Sequence, residues 1–281
     1  MKILVTGVNG QLGYDVVQEL NRRKIECQGV DIEDFDITDL KATMEFIVGY
    51  QPDAVIHCSA YTAVDKAEEN LEVCRAVNAV GPLNIATACR DINAKMIYIS
   101  TDYVFPGGGE RFYETDDETG PLGAYGRTKL DGELAVKELL SRYFIVRISW
   151  VFGINGNNFI KTMLKLSETC DEINVVSDQI GSPTYTADLA PLLCDIVVTE
   201  KYGTYHATNE GVCSWAELAE EAFRIVGRKT KVNCITTEEY RAKAVRPKNS
   251  RLSKKSLDEA GFKKLPEWRD AVKRYLREIA Q

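Results

Sequence analysis

Short apolar runs alternate with longer stretches of helical spacing through the first half of the chain, the pattern of strands exchanged with covering helices. Residues 2–6 form a β-branched apolar run that reads as a strand, and 26–31, ending in an acid, 53–57, 94–101 and 144–149 read as strands too. Between them Val16, Val17 and Leu20 show helical spacing, and Leu130, Leu134, Leu139 and Leu140 mark an amphipathic helical run. A further helical stretch carries Asn78 and is expected to be interrupted at Gly81-Pro82. Strands too apolar to alternate are buried on both faces, so the pattern predicts an α/β fold with a doubly wound parallel sheet. Beyond residue 150 the rhythm changes. Helical spacing recurs at 159–166, 186–198, 214–226 and 268–279, with a short strand at 173–176. Ser214 and Glu217 have capping-box spacing. Residues 232–252 are polar and read as irregular. The expected organisation is a domain over 1–150 and a smaller C-terminal lobe over 151–281, its segments interleaved with the first domain.

Charge and composition narrow the function. Of 281 residues, 35 are Lys or Arg and 42 Asp or Glu, a net charge of −7. A nucleic-acid partner is not expected of a chain without a basic stripe. There is no apolar run of ~18 residues, so no membrane span is expected. The N-terminal apolar run is cut by Gly7 and Asn9, too early for a signal peptide. The eight cysteines are scattered without a Cys-x-x-Cys pair, and there are only two histidines. The cysteines are therefore expected to be small hydrophobes, a metal site is not expected, and the setting is read as reducing and cytoplasmic.

Candidate chemistry gathers at the strand ends. The first strand runs into Gly7-Val8-Asn9-Gly10-Gln11-Leu12-Gly13 and then a helix, the context of a dinucleotide-phosphate turn in a Rossmann-type sheet. Gly7 permits the tight turn, Gly10 the approach of a pyrophosphate and Gly13 close helix–strand packing, while the helix N-terminus offers amide N–H groups. Asp31, 18 positions past Gly13, stands where a ribose 2′-hydroxyl ligand falls, and a carboxylate there disfavours a 2′-phosphate. NADH is the expected donor, with NADPH possible. Ser59 and Ala60 are small enough to let a cofactor lie against the third strand's end. The fourth strand ends in Ser100 and Thr101, and Tyr125 and Lys129 sit at i and i+4 of the next helix, on one face. A phenol with a pKa near ~10 is a weak acid at neutral pH, and a neighbouring ammonium is expected to lower it. In a parallel sheet these ends converge on one crevice, which brings Thr101, Tyr125 and Lys129 together as a proton-donating group.

The glycine turn, Ser100-Thr101-Asp102-Tyr103-Val104-Phe105 and Tyr125-x-x-x-Lys129 resemble the extended short-chain dehydrogenase/reductase superfamily. Thr62-Ala63-Val64-Asp65-Lys66-Ala67-Glu68, Ser149-Trp150-Val151-Phe152, Asn157-Asn158-Phe159, Asp178-Gln179-x-Gly181-x-Pro183 and Arg246-Pro247-x-Asn249-Ser250-Arg251-Leu252 are similar to its dTDP-4-dehydrorhamnose reductase family. The resemblance runs nearly end to end. It implies an oxidoreductase acting on a dTDP-4-keto-6-deoxysugar, in which Tyr125 protonates the sugar oxygen, Lys129 depresses the tyrosine pKa and holds the nicotinamide ribose, and Thr101 donates to the developing alkoxide. It places Gln11, Leu12, Asp36, Ile37 and Thr62 with the cofactor residues already named. Val64, Thr101, Asp102, Tyr103, Trp150, Asn158, Phe159 and Arg246 are implied to contact substrate, Arg246 through the diphosphate. Sugar-nucleotide dehydratases pair an acid at the Asp102 position with a following Glu. Tyr103 stands there instead, which favours simple reduction. The alternatives are another nucleotide-sugar reductase or epimerase, and a non-catalytic regulatory subunit of methionine adenosyltransferase. The presence of Thr101, Tyr125 and Lys129 argues against the latter. A monomer or a homodimer is expected.

Overall fold

The computed structural model describes residues 1–280. Strand β1 (Lys2–Thr6) leads through the glycine turn into helix α1 (Gln11–Arg22), then β2 (Glu26–Val30). Helix α2 (Leu40–Tyr50) starts where the Asp39 carboxylate accepts from the amides of Lys41 and Ala42, satisfying two N-terminal donors. There follow β3 (Ala54–His57), short helices α3 (Val64–Ala67) and α4 (Leu71–Arg75), a π-helical turn over Ala76–Val80, and α5 (Gly81–Asp91). Contrary to the sequence expectation, Gly81-Pro82 does not interrupt the helical path. Pro82 occupies the first turn of α5, where its missing N–H costs nothing. Strand β4 (Lys95–Thr101), helix α6 (Ala124–Leu139) and β5 (Tyr143–Ile148) complete the first half.

The second half contributes β6 (Val151–Phe152), α7 (Phe159–Leu166), β7 (Glu172–Val176), β8 (Ile180–Gly181), β9 (Thr184–Tyr185), α8 (Thr186–Val197) and β10 (Gly203–His206). Then come β11 (Asn209–Glu210), β12 (Cys213–Ser214), α9 (Trp215–Val226), β13 (Lys231–Ile235), α10 (Thr237–Tyr240), β14 (Asn249–Ser250), α11 (Lys255–Ala260), β15 (Leu265–Glu267) and α12 (Trp268–Ile279). The capping box of Ser214 and Glu217 opens α9 as the spacing predicts. Residues 232–252 are not wholly irregular. Most of β13 falls there and pairs with β7 from Lys231↔Glu172 to Ile235↔Val176.

The central sheet is parallel, in the order β10-β5-β4-β3-β1-β2. Successive strand residues alternate between its two faces, and both faces are covered. Ile3, Val5, Ile56, Ile97 and Val146 pack with Val16, Leu20, Leu189 and Leu193. Leu4, Val55, Met96 and Ile145 pack with Ile47, Ile85, Cys89 and Val136. Each such side chain, fully buried, contributes about 1.5–3 kcal/mol. Chain direction along the sheet reverses between β1 and β3, which opens a crevice at their carboxyl ends.

Candidate active site

One cavity of about 770 Å³ occupies that crevice, within the range of small-molecule sites. Its floor is the glycine turn. Gly7 has φ +73°, and a Cβ there would lie 2.6 Å from the Ser59 nitrogen. A Cβ on Gly13 would lie 2.3 Å from the Gly7 oxygen. These two glycines are thus required by the turn's backbone, and the open cradle above them fits a pyrophosphate at the start of α1. The Asp31 carboxylate accepts from the Asn9 amide at 2.9 Å and from the Ile32 amide at 2.9 Å, so it braces the turn as well as facing the cavity. Gly10, Gln11, Leu12, Asp36, Ile37, Ser59, Ala60, Thr62 and Val64 line the same space.

The opposite wall carries Thr101, Asp102, Tyr103, Tyr125, Lys129, Trp150 and Arg246. Helix α6 presents Tyr125 and Lys129 one turn apart, and β4 delivers Thr101 beside them. The Lys129 ammonium is buried, donates to the Ile99 carbonyl at 2.7 Å and lies 4.1 Å from the centre of the Tyr98 ring. Burial pushes its pKa down to about 7, with the Glu133 carboxylate opposing the shift. Burial holds the Tyr125 phenol above its usual value, and the Thr101 hydroxyl is the one neighbour that pulls it down. Lys129 is not among the neighbours that shift the phenol here: in the protein alone both groups are desolvated, and the ammonium donates to a carbonyl and lies against a ring face.

Asp102 is 3% exposed. Its carboxyl is bonded by the Ser250 hydroxyl on one oxygen and by Thr101 Oγ1, 2.9 Å away, on the other. Burial raises its pKa to about 6, against the lowering effect of those two hydroxyls. The Tyr103 ring meets Tyr125 edge-on at 5.3 Å. Trp150, in a left-handed conformation with φ +51°, stacks on Trp215 at 3.8 Å. Trp215 also lines the cavity. Sequence reasoning missed it, although its place directly after the Ser214 cap fixes it at the first turn of α9. A strained backbone at a cavity-lining tryptophan is the kind of local cost that functional sites carry.

The comparisons with known proteins bear on this geometry. The family model described as RmlD substrate binding domain matches residues 1–281. A dTDP-4-dehydrorhamnose reductase of Streptomyces griseus is 41% identical over 96% of this chain and 91% of its own length. The chain belongs to the dTDP-4-dehydrorhamnose reductase family. Its fold superposes on a crystal structure of such a reductase from Clostridium acetobutylicum with a TM-score of 0.98, at 43% identity and full coverage of both chains. A reductase from Bacillus anthracis, solved in complex with NADP, gives a TM-score of 0.96 at 42% identity, covering 99% of each chain.

Three residues expected to serve the substrate also make contacts within the protein. Asn158 caps α7: its oxygen accepts from the Lys161 amide, and its Nδ2 donates to Gln11 Oε1, the Gly153 carbonyl and the Tyr275 hydroxyl. It does not line the cavity, and neither does Phe159, which packs on Trp215 at 4.7 Å. Arg246 lines the cavity but is already paired, through two nitrogens at 2.7 and 3.2 Å, with Asp65 of α3. A guanidinium so held is oriented rather than free, and a diphosphate there has to share or displace Asp65. No group of metal-ligating side chains is present among the described residues, and no described helix is long and apolar enough to cross a membrane.

Proposed function

We propose that the protein reduces the 4-keto group of a dTDP-linked 6-deoxysugar with a reduced nicotinamide dinucleotide. The observation that carries this reading is the shared cavity: the glycine cradle forms one wall and Thr101, Tyr125 and Lys129 the other. The bound dinucleotide supplies a hydride to the sugar C4. The Tyr125 hydroxyl gives its proton to the oxygen that becomes an alkoxide. Thr101 donates a hydrogen bond to the same oxygen. Lys129, held by the Ile99 carbonyl on the cavity wall, would hold the ribose hydroxyls of the bound dinucleotide. The stacked Trp150–Trp215 pair offers a flat apolar surface for a sugar or base. Trp215 and Arg246 reach the cavity from beyond residue 150, and we assign 1–150 to the cofactor and the proton-donating residues and 151–281 mainly to the substrate.

NADH is proposed as the preferred donor. Asp31 places negative charge where a 2′-phosphate would sit, and the cations lining the cavity among the described residues, Lys129 and Arg246, belong to the other wall. A reduced dinucleotide and eight unpaired cysteines suit a cytoplasmic setting.

The test is consumption of NADH, followed by absorbance, with a dTDP-4-keto-6-deoxysugar. Tyr125→Phe should lower kcat by ~10²–10⁴ while cofactor binding is kept. Wild-type turnover by that variant overturns the assignment. Conversion of substrate without net NADH consumption would identify an epimerase instead.

A further inference from the structure

We infer that Asp102, anchored by Ser250, controls the direction of the Thr101 hydroxyl and is a positioning residue for the reduction. The inference rests on the proposed roles of Tyr125 and Thr101. It follows from counting protons. A threonine hydroxyl has one hydrogen to donate. Thr101 Oγ1 accepts from the Tyr103 amide at 3.2 Å and stands 2.9 Å from Asp102 Oδ1. An ionised carboxylate accepts only, so it takes the Thr101 hydrogen and leaves none for a sugar oxygen. Thr101 then also invites the Tyr125 hydrogen away from the substrate. A protonated Asp102 reverses the chain: its O–H donates to Thr101, and the Thr101 hydrogen is released toward the cavity.

Ser250 makes the arrangement specific. It comes from β14, held against Gly181 of β8, so the second half of the chain reaches back to anchor a carboxyl at the end of β4. The titratable and charged groups around Asp102 are the Tyr103 phenol on its own turn, Tyr125 and Lys129 on α6, and Arg246 with Asp65 across the cavity. Burial of the carboxyl places its titration near neutrality, at about 6 in the free protein.

The decisive variant is Asp102→Asn. An asparagine amide donates to Thr101 and accepts from Ser250, so it copies the protonated acid at every pH. In the wild type, kcat should fall as pH rises through the Asp102 titration, approaching tenfold per pH unit as a single group requires. Asp102→Asn, read for the shape of its kcat–pH profile rather than its level, should lose that limb. Ser250→Ala removes a hydrogen bond to the ionised form and should move the limb to higher pH. A second readout needs no turnover. The folded-state pKa of Asp102 is raised, so its contribution to stability is present below the unfolded value near 3.8 and is lost as pH rises through about 6. The thermal midpoint of the wild type should therefore fall relative to Asp102→Asn across that interval. A limb that survives in Asp102→Asn and so belongs to Lys129, or a stability difference flat in pH, overturns the inference. Loss of the Tyr125→Phe effect would overturn the functional reading instead, so the two failures are distinguishable.

Discussion

Asp31 serves two masters with one carboxylate. Each oxygen accepts an amide from the turn and strand end, which fixes the cradle, and the net charge faces the ribose end of the cavity. Asn keeps an acceptor for the Asn9 amide but removes the charge. Asp31→Asn should therefore fold normally and shift the ratio of kcat/KM for NADPH over NADH upward, on the order of tenfold, since one unit charge at partly solvated range is worth ~1–2 kcal/mol. Steady-state kinetics with both dinucleotides check this. An unchanged ratio would mean that preference is set elsewhere. Arg246 shows the same double use of a side chain, lining the cavity while paired with Asp65. A lone arginine in a motif reads as free to meet phosphate, and nothing in its neighbours announces Asp65, 181 positions away.

At the scale of elements, α6 carries more than the proton donor. Tyr125, Lys129 and Glu133 follow at i, i+4 and i+8 on its sheet-facing side. Glu133 is fully buried and takes both oxygens' bonds from Arg147 of β5, at 2.8 and 2.7 Å, with Ser100 at 2.6 Å. Burial alone would raise its pKa, but the Arg147 bonds hold it below the usual value. Glu133→Ala leaves the Arg147 guanidinium buried without its partner, a loss of ~3–5 kcal/mol. The thermal midpoint should drop by on the order of 10 °C. Replacing both partners by apolar residues of similar volume should recover most of it. A small effect of the single variant would show that the pair is hydrated or replaceable. The five strands of the first half and the glycine turn were legible in sequence because long apolar runs and a strand–turn–helix context are local signals. Strand β10 was not: Gly203-Thr204-Tyr205-His206 is short and half polar, and only pairing with β5 makes it a strand. The cap made by Asn158 was not legible for a related reason, because a capping asparagine and a ligand asparagine look alike until the helix after it is seen.

The whole molecule closes around the phosphate turn. Gln11, at the start of α1, accepts through Oε1 from the Gly153 amide at 2.9 Å and from Asn158 Nδ2 at 3.1 Å, while Asn155 Nδ2 donates to the Asn9 carbonyl at 2.9 Å. The segment 153–158 therefore rests on the backbone of the turn proposed to hold the pyrophosphate. A dinucleotide that orders the turn has to order this segment too, before any sugar arrives. Hydrogen exchange should show amides of 7–13 and 153–158 slowed together by NADH alone. At a concentration of ~100 Kd the linkage is worth about 2.7 kcal/mol, roughly a hundredfold slowing where opening requires release of the ligand. Gln11→Ala removes the shared acceptor and leaves two donors to find water, at ~1–3 kcal/mol. In that variant NADH should still protect 7–13, but protection of 153–158 should fall back toward the unliganded rate. Equal protection of both segments in Gln11→Ala would show that the halves are coupled through the packed core and not through this side chain.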